Sequence, residues 1–137
     1  MQLIKLKTIK TYDRDTKEEN GWITELVKEG NKTLAYMNVL LPKAFKGYHI
    51  HTERTNRIYC LGGEVAIYTK EDDNIKVTPL GANNELAVIS PNVPTAIENL
   101  AIGNSVLLFF PDPAYDPANT NEMIPVKREE VEKDVES

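Results

Sequence analysis

Turn chemistry recurs along this chain at short intervals, and that rhythm is what most narrows the folds open to it. "DRDTKEEN", "KEGNK", Gly62-Gly63, "EDDN", "SPNVP" and "LAIGN" punctuate the sequence roughly every five to ten residues. The pieces between them are too short for helices and rich in β-branched and aromatic residues. "LIKLKTIK" alternates apolar and basic residues, as a strand with one wet face does. "GWITELV", "TLAYMNVLLP", "GYHIH", "RIYCL", "EVAIYTK", "IKVTPL", "ELAVI", "TAIEN" and "SVLLFF" read as further strands. "KEGNK", Gly62-Gly63 and "EDDN" carry hairpin signals. Nothing before residue 120 has helical periodicity, so the expected class is all-β, an antiparallel sandwich or barrel. The charged tail "PVKREEVEKDVES" reads as a solvated segment that frays or forms a short exposed helix.

The 137 residues suit one domain, 1–137, with its core at about 20–117. The net charge of −5 argues against a nucleic-acid surface, which needs a basic patch. No apolar run approaches the roughly 20 residues that span a bilayer. The start, "MQLIKLKTIK", lacks the apolar stretch of an export leader, and the single Cys60 cannot form an internal disulfide. A cytoplasmic protein is expected.

The chain has two histidines, His49 and His51, one residue apart. On a strand, residues i and i+2 share a face, so the two imidazoles project together. Such a pair can bind a metal, move protons, or simply be solvated.

The pair, the glycines that follow it and "SPNVPTAIENLAIGN" resemble the two motifs of the cupin superfamily. His49, His51, Gly63, Pro91, Pro94 and Asn99 fit those motifs. The resemblance implies a double-stranded β-helix, the cupin jelly-roll barrel. Two departures stand out. Asn56 falls where the first motif has Glu, and Thr95 where the second has His. Two imidazoles with Asn56 and Thr95 make a poor transition-metal set, so no metal and no other cofactor are expected. Glu53 shares the parity of His51 and is the one carboxylate that could be recruited.

A narrower resemblance is to RmlC-like cupins, the dTDP-4-dehydrorhamnose 3,5-epimerase-related proteins and the dTDP-4-keto-6-deoxyglucose ketoisomerases. "KGYHIHTERTNRIYCLGGEV", "NVPTAIEN" and "PDPAYDP" carry it. It implies proton abstraction next to a 4-keto group of a dTDP-sugar, with His49 as the base and His51 assisting. Tyr36 is the candidate acid or oxyanion donor. Lys46, Arg54, Arg57, Asn56 and Tyr59 are the candidate ligand-binding residues, the cations for a pyrophosphate. The Asp that orients the histidine in the epimerases has no match by motif.

Three functions stay open at this point: a metal-independent sugar-nucleotide isomerase or epimerase, a non-catalytic sugar-nucleotide-binding cupin, and a metal-dependent cupin enzyme with an altered ligand set. The resemblance further implies a homodimer in which "LIKLKTIK" adds to a partner's sheet.

Overall fold

The computed structural model describes residues 1–133. Eleven strands form two antiparallel sheets. They are β1 (Thr8–Tyr12), β2 (Glu19–Glu29), β3 (Lys32–Leu40), β4 (Phe45–His51), β5 (Thr55–Gly62), β6 (Glu64–Glu71), β7 (Asn74–Gly81), β8 (Leu86–Ile89), β9 (Thr95–Asn99), β10 (Ser105–Asp112) and β11 (Met123–Pro125). A short helix, α1 (Arg128–Glu132), follows. One sheet has the order β1-β2-β3-β10-β5-β8 and the other β11-β4-β9-β6-β7. The architecture is the all-β jelly roll that the resemblance to cupins implied, within the antiparallel class that the turn spacing suggested. No described helix is long and apolar enough to cross a membrane.

Period-two alternation builds the core. Leu107 and Phe109 of β10, Ile58 and Cys60 of β5, and Leu40 of β3 are buried between the sheets. Val65 and Ile67 of β6 and Ile97 of β9 meet them from the opposite sheet. Asn99 pins the closed end of this core. Its Nδ2 donates to the carbonyls of Leu40 and Leu41 at 3.1 and 2.9 Å and of Gly103 at 2.9 Å. Its Oδ1 lies 2.6 Å from the Ser105 hydroxyl.

Two turns are the expected hairpins. β2 returns to β3 through Gly30-Asn31, and β6 to β7 through Asp72 and Asp73, both at positive φ (52° and 64°). Such a turn matches the right-handed twist of the strands it joins. Gly62-Gly63 behaves otherwise. It carries the chain from one sheet to the other, since β5 and β6 never pair. Gly63 has φ +81°, and a Cβ there would strike Ser105. The double glycine serves close packing at a corner, a demand that local turn chemistry cannot tell from a hairpin.

The ends also differ from expectation. In "LIKLKTIK" the strand starts at Thr8, with the Lys7 carbonyl accepting from the Glu25 N–H at 3.3 Å, and residues 1–7 lie exposed. The tail is not simply solvated through Lys133. β11 pairs with β4, and α1 docks beside it with Val131 buried against Tyr48 and Ala96. The Tyr48 hydroxyl donates to Glu132 at 2.8 Å, and the Arg128 guanidinium sits 3.9 Å from the Phe45 ring centre. One buried valine in a charged run leaves almost no periodic signal, which is why the docking was not legible. The last four residues of that tail lie outside the described residues.

Candidate active site

The sheets part at the end away from Asn99 and enclose a cavity of about 1110 Å³. β4 supplies its principal wall. Gly47, His49 and His51 face inward while Tyr48 turns out into the α1 cluster. An irregularity between Lys46 and His49 in the β4–β9 register brings Lys46 onto the inward face as well. Tyr36 and Asn38 face it from β3, and Asn56 from β5.

The two imidazoles meet opposite neighbours. His49 Nε2 lies 3.2 Å from Arg14 Nη2, and a guanidinium can only donate, so Nε2 accepts and the proton sits on Nδ1. Burial, then the Arg14 charge, push His49 down to about 4. His51 Nδ1 lies 3.2 Å from Glu122 Oε1. Its Nδ1–H donates to that carboxylate, which leaves the Nε2 lone pair free of this contact. Burial and then Arg54 lower the His51 pKa, while Glu122 works to raise it. Both rings are therefore neutral near pH 7.

Glu122 and Arg54 form a buried ion pair. Arg54 Nε and Nη2 lie 2.8 and 2.6 Å from Glu122 Oε1, and the Arg54 backbone N–H donates to Oε2 at 3.2 Å. Burial pushes the Glu122 carboxyl up, but the Arg54 hydrogen bonds and charge outweigh it and hold the group below the usual carboxylate range. The Arg54 guanidinium also covers Tyr115, 5.3 Å from its ring centre. Tyr36 stacks on Phe109 at 4.9 Å, and burial pushes its hydroxyl up to about 12, against Arg54, so it stays protonated as a donor. Asn56 Oδ1 is buried with no partner among the described residues and stands on the cavity wall.

The structure thus gathers His49, His51, Tyr36, Lys46, Arg54 and Asn56 around one space. Arg57 and Tyr59 stand elsewhere. They alternate with Asn56 and Ile58 along β5, so they point to the outer face of the sheet. There Arg57 meets Asp112 at 3.5 Å, and the Tyr59 hydroxyl meets Asn84 at 3.4 Å. Glu53 points away from the histidines and accepts from Asn119 at 3.0 Å. Arg14 and Glu122 carry no sequence signal. Arg14 sits in a polar turn 35 residues from His49, and Glu122 lies 71 residues from His51. Only the Met123↔His51 register of β11 on β4 brings Glu122 in.

The donor set does not fit a divalent cation. His49 Nε2 faces a guanidinium, His51 Nδ1 faces a carboxylate already paired with Arg54, and Asn56 and Thr95 are neutral. Among the described residues no group of three or more His, Cys, Asp or Glu could hold a metal ion.

A two-sheet jelly roll with its polar cavity built on a His-x-His strand defines an RmlC-like cupin. Residues 1–123 match the family described as "FdtA: WxcM-like, C-terminal", and the chain belongs to it. Curated protein sequences give no match. Among solved structures, CapF, the capsular polysaccharide assembling protein of Staphylococcus aureus, superposes with a TM-score of 0.70 at 20% identity over 86% of this chain. This chain spans 34% of the CapF chain, about a third of its length. A predicted oxalate decarboxylase from Thermotoga maritima gives 0.64 at 20% identity, covering 77% of this chain and 91% of that one. The Drosophila melanogaster CENP-C cupin domain gives 0.62 at 14% identity, covering 77% and 75%. At these identities the likeness is one of fold alone.

Proposed function

We propose that this protein is a sugar-nucleotide epimerase or ketoisomerase that moves a proton next to the 4-keto group of a dTDP-deoxysugar without a metal. The observation that carries the reading is His51, a neutral imidazole on the wall of a cavity wide enough for such a ligand, with its Nδ1 on the Glu122 carboxylate behind it. The sequence resemblance to the ketoisomerases and membership of the FdtA: WxcM-like family support it.

The hydrogen bonds favour His51, rather than His49, as the base. His51 Nε2 takes the proton from the carbon beside the ketone. The C–H electron pair moves into the carbonyl, giving an enolate, and Glu122 stabilises the imidazolium that forms. Tyr36 O–H donates to the enolate oxygen. Carbon is then reprotonated, by solvent from the opposite face in an epimerisation, or by the His51 imidazolium at the neighbouring carbon after the enediol has shifted in a ketoisomerisation. His49, held neutral by Arg14, orients the sugar through Nδ1–H. Arg14, Lys127 and Arg128 line the cavity beside the histidine strand and supply charge for a pyrophosphate.

The same reading includes a homodimer in a cytoplasmic setting. Leu61, Leu86, Val88 and Phe110 are exposed on the outer face of the six-stranded sheet, and Leu3 and Ile4 on the N-terminal arm. Together they offer apolar surface to a second copy. Light scattering that shows a monomer at micromolar concentration would remove this part.

The test of activity is incubation with dTDP-4-keto-6-deoxyglucose in heavy water. Deuterium next to the ketone establishes proton transfer, and its position tells epimerase from ketoisomerase. Binding of dTDP without exchange leaves a sugar-nucleotide-binding cupin.

A further inference from the structure

Lys46 is a cation in the cavity wall whose surroundings suit a neutral amine. Its Nζ lies 2.7 Å from Asn38 Oδ1 and 3.3 Å from the Val39 carbonyl, both uncharged acceptors. Arg54, by contrast, is matched by Glu122. Burial alone, with no neighbouring charge, lowers Lys46 to about 8. At that value a sizeable fraction of the amine is unprotonated near neutral pH, where an ordinary lysine is about a thousandth neutral.

The backbone makes room for this amine. Gly21 adopts φ +150°, and a Cβ there would collide with the Val39 carbonyl and come within 3.0 Å of Lys46 Nζ. Around the same point stand two acceptors with no partner among the described residues, Asn20 Oδ1 and Thr11 Oγ1. Asn20 adjoins Gly21, and Thr11 pairs with Gly21 across β1 and β2. Both line the cavity with Lys46. A nucleophile is thus set among groups that can hold a tetrahedral hydroxyl.

We propose that Lys46 captures carbonyl compounds entering this cavity, forming an imine with an aldehyde or ketone. The amine lone pair attacks the carbonyl carbon, and the former carbonyl oxygen becomes a hydroxyl. That hydroxyl donates to Asn20 Oδ1 or Thr11 Oγ1. It then leaves as water, carrying both amine protons, as the C=N bond forms. Loss of one water is the only net change, and no oxidant or reductant takes part. The inference goes beyond the sugar reading and does not rest on it, because it concerns any small carbonyl.

The experiment uses the full chain with pyridoxal, an aldehyde without phosphate, and cyanoborohydride to reduce the imine. Peptide mass mapping compares Lys46 with the exposed Lys5 and Lys76. Labelling of Lys46 at least about tenfold faster at pH 7.5, rising through about pH 8, is expected. Asn38→Asp places a carboxylate on the amine, keeps it protonated and should cut that rate severalfold, while Lys46→Arg should abolish the product. Labelling that falls evenly on exposed lysines, or is unmoved by Asn38→Asp, overturns the proposal. A failed heavy-water exchange leaves this outcome untouched, so the two readings fail separately.

Discussion

His49 and His51 share a strand and a face, yet they stand in opposite electrostatic company. The β1–β2 turn brings a guanidinium to one, and β11 brings a carboxylate to the other. An imidazole against Arg14 resists a proton. An imidazole whose Nδ1–H rests on Glu122 can take one at Nε2 and keep the resulting charge compensated. Two identical side chains two residues apart thereby acquire different chemistry, because each faces a segment remote in sequence.

The contrast is broken most severely by exchanging the histidines in turn. His51→Asn should lower deuterium exchange by about a thousandfold, within the span of general-base catalysis, and His49→Asn by about tenfold to a hundredfold. The reverse order in the same assay would make His49 the base and void the role given to Glu122.

Glu122→Gln comes next. It keeps the shape but removes the charge that balances Arg54 and supports the His51 imidazolium. Exchange should fall about a hundredfold, and chemical denaturation should show a loss of about 3 kcal/mol, since Arg54 is left buried and unpaired. If Glu122→Gln lowers stability without moving the pH profile of exchange, its function is structural alone.

The pH dependence of stability sharpens the contrast. His49 is neutral in the fold down to about 4 but takes a proton near 6.5 when unfolded. Its contribution is therefore fully present above pH 6.5 and is lost as pH falls toward 4, because the unfolded chain binds the extra proton. His49→Gln should flatten the melting temperature across that window. Arg14→Gln should raise the His49 pKa in an NMR titration and leave that of His51 nearly in place. Equal movement of both would show the histidines to be one coupled unit.

The smallest effect belongs to the outer face. Arg57→Ala and Tyr59→Phe should each change exchange by less than about twofold, because these side chains point away from the cavity and their contacts are exposed. A tenfold loss from either would mean that a second subunit brings the outer face to the site.

Much of the architecture was legible because its cause is local. Alternation buries Leu107 and Phe109, and turn residues place the β2–β3 and β6–β7 hairpins. The inward face of the histidines follows from strand parity, whereas the outward face of Arg57 and Tyr59 was not legible, because parity cannot be carried from His51 through the bend at 52–53. Gly62-Gly63 misled because a corner between sheets and a hairpin ask the same freedom of the backbone. Val131 docked where charge dominated the signal.

The sequence by itself determined the all-β class, the His-x-His strand and the neutral Asn56 and Thr95, since each depends on residue type and spacing within a few positions. Only the tertiary structure decided what those histidines do. Arg14 and Glu122 reach them from 35 and 71 residues away. Proton affinity is set by desolvation and by charges a few ångströms off, and strand pairing, which no local pattern encodes, chooses which charges those are.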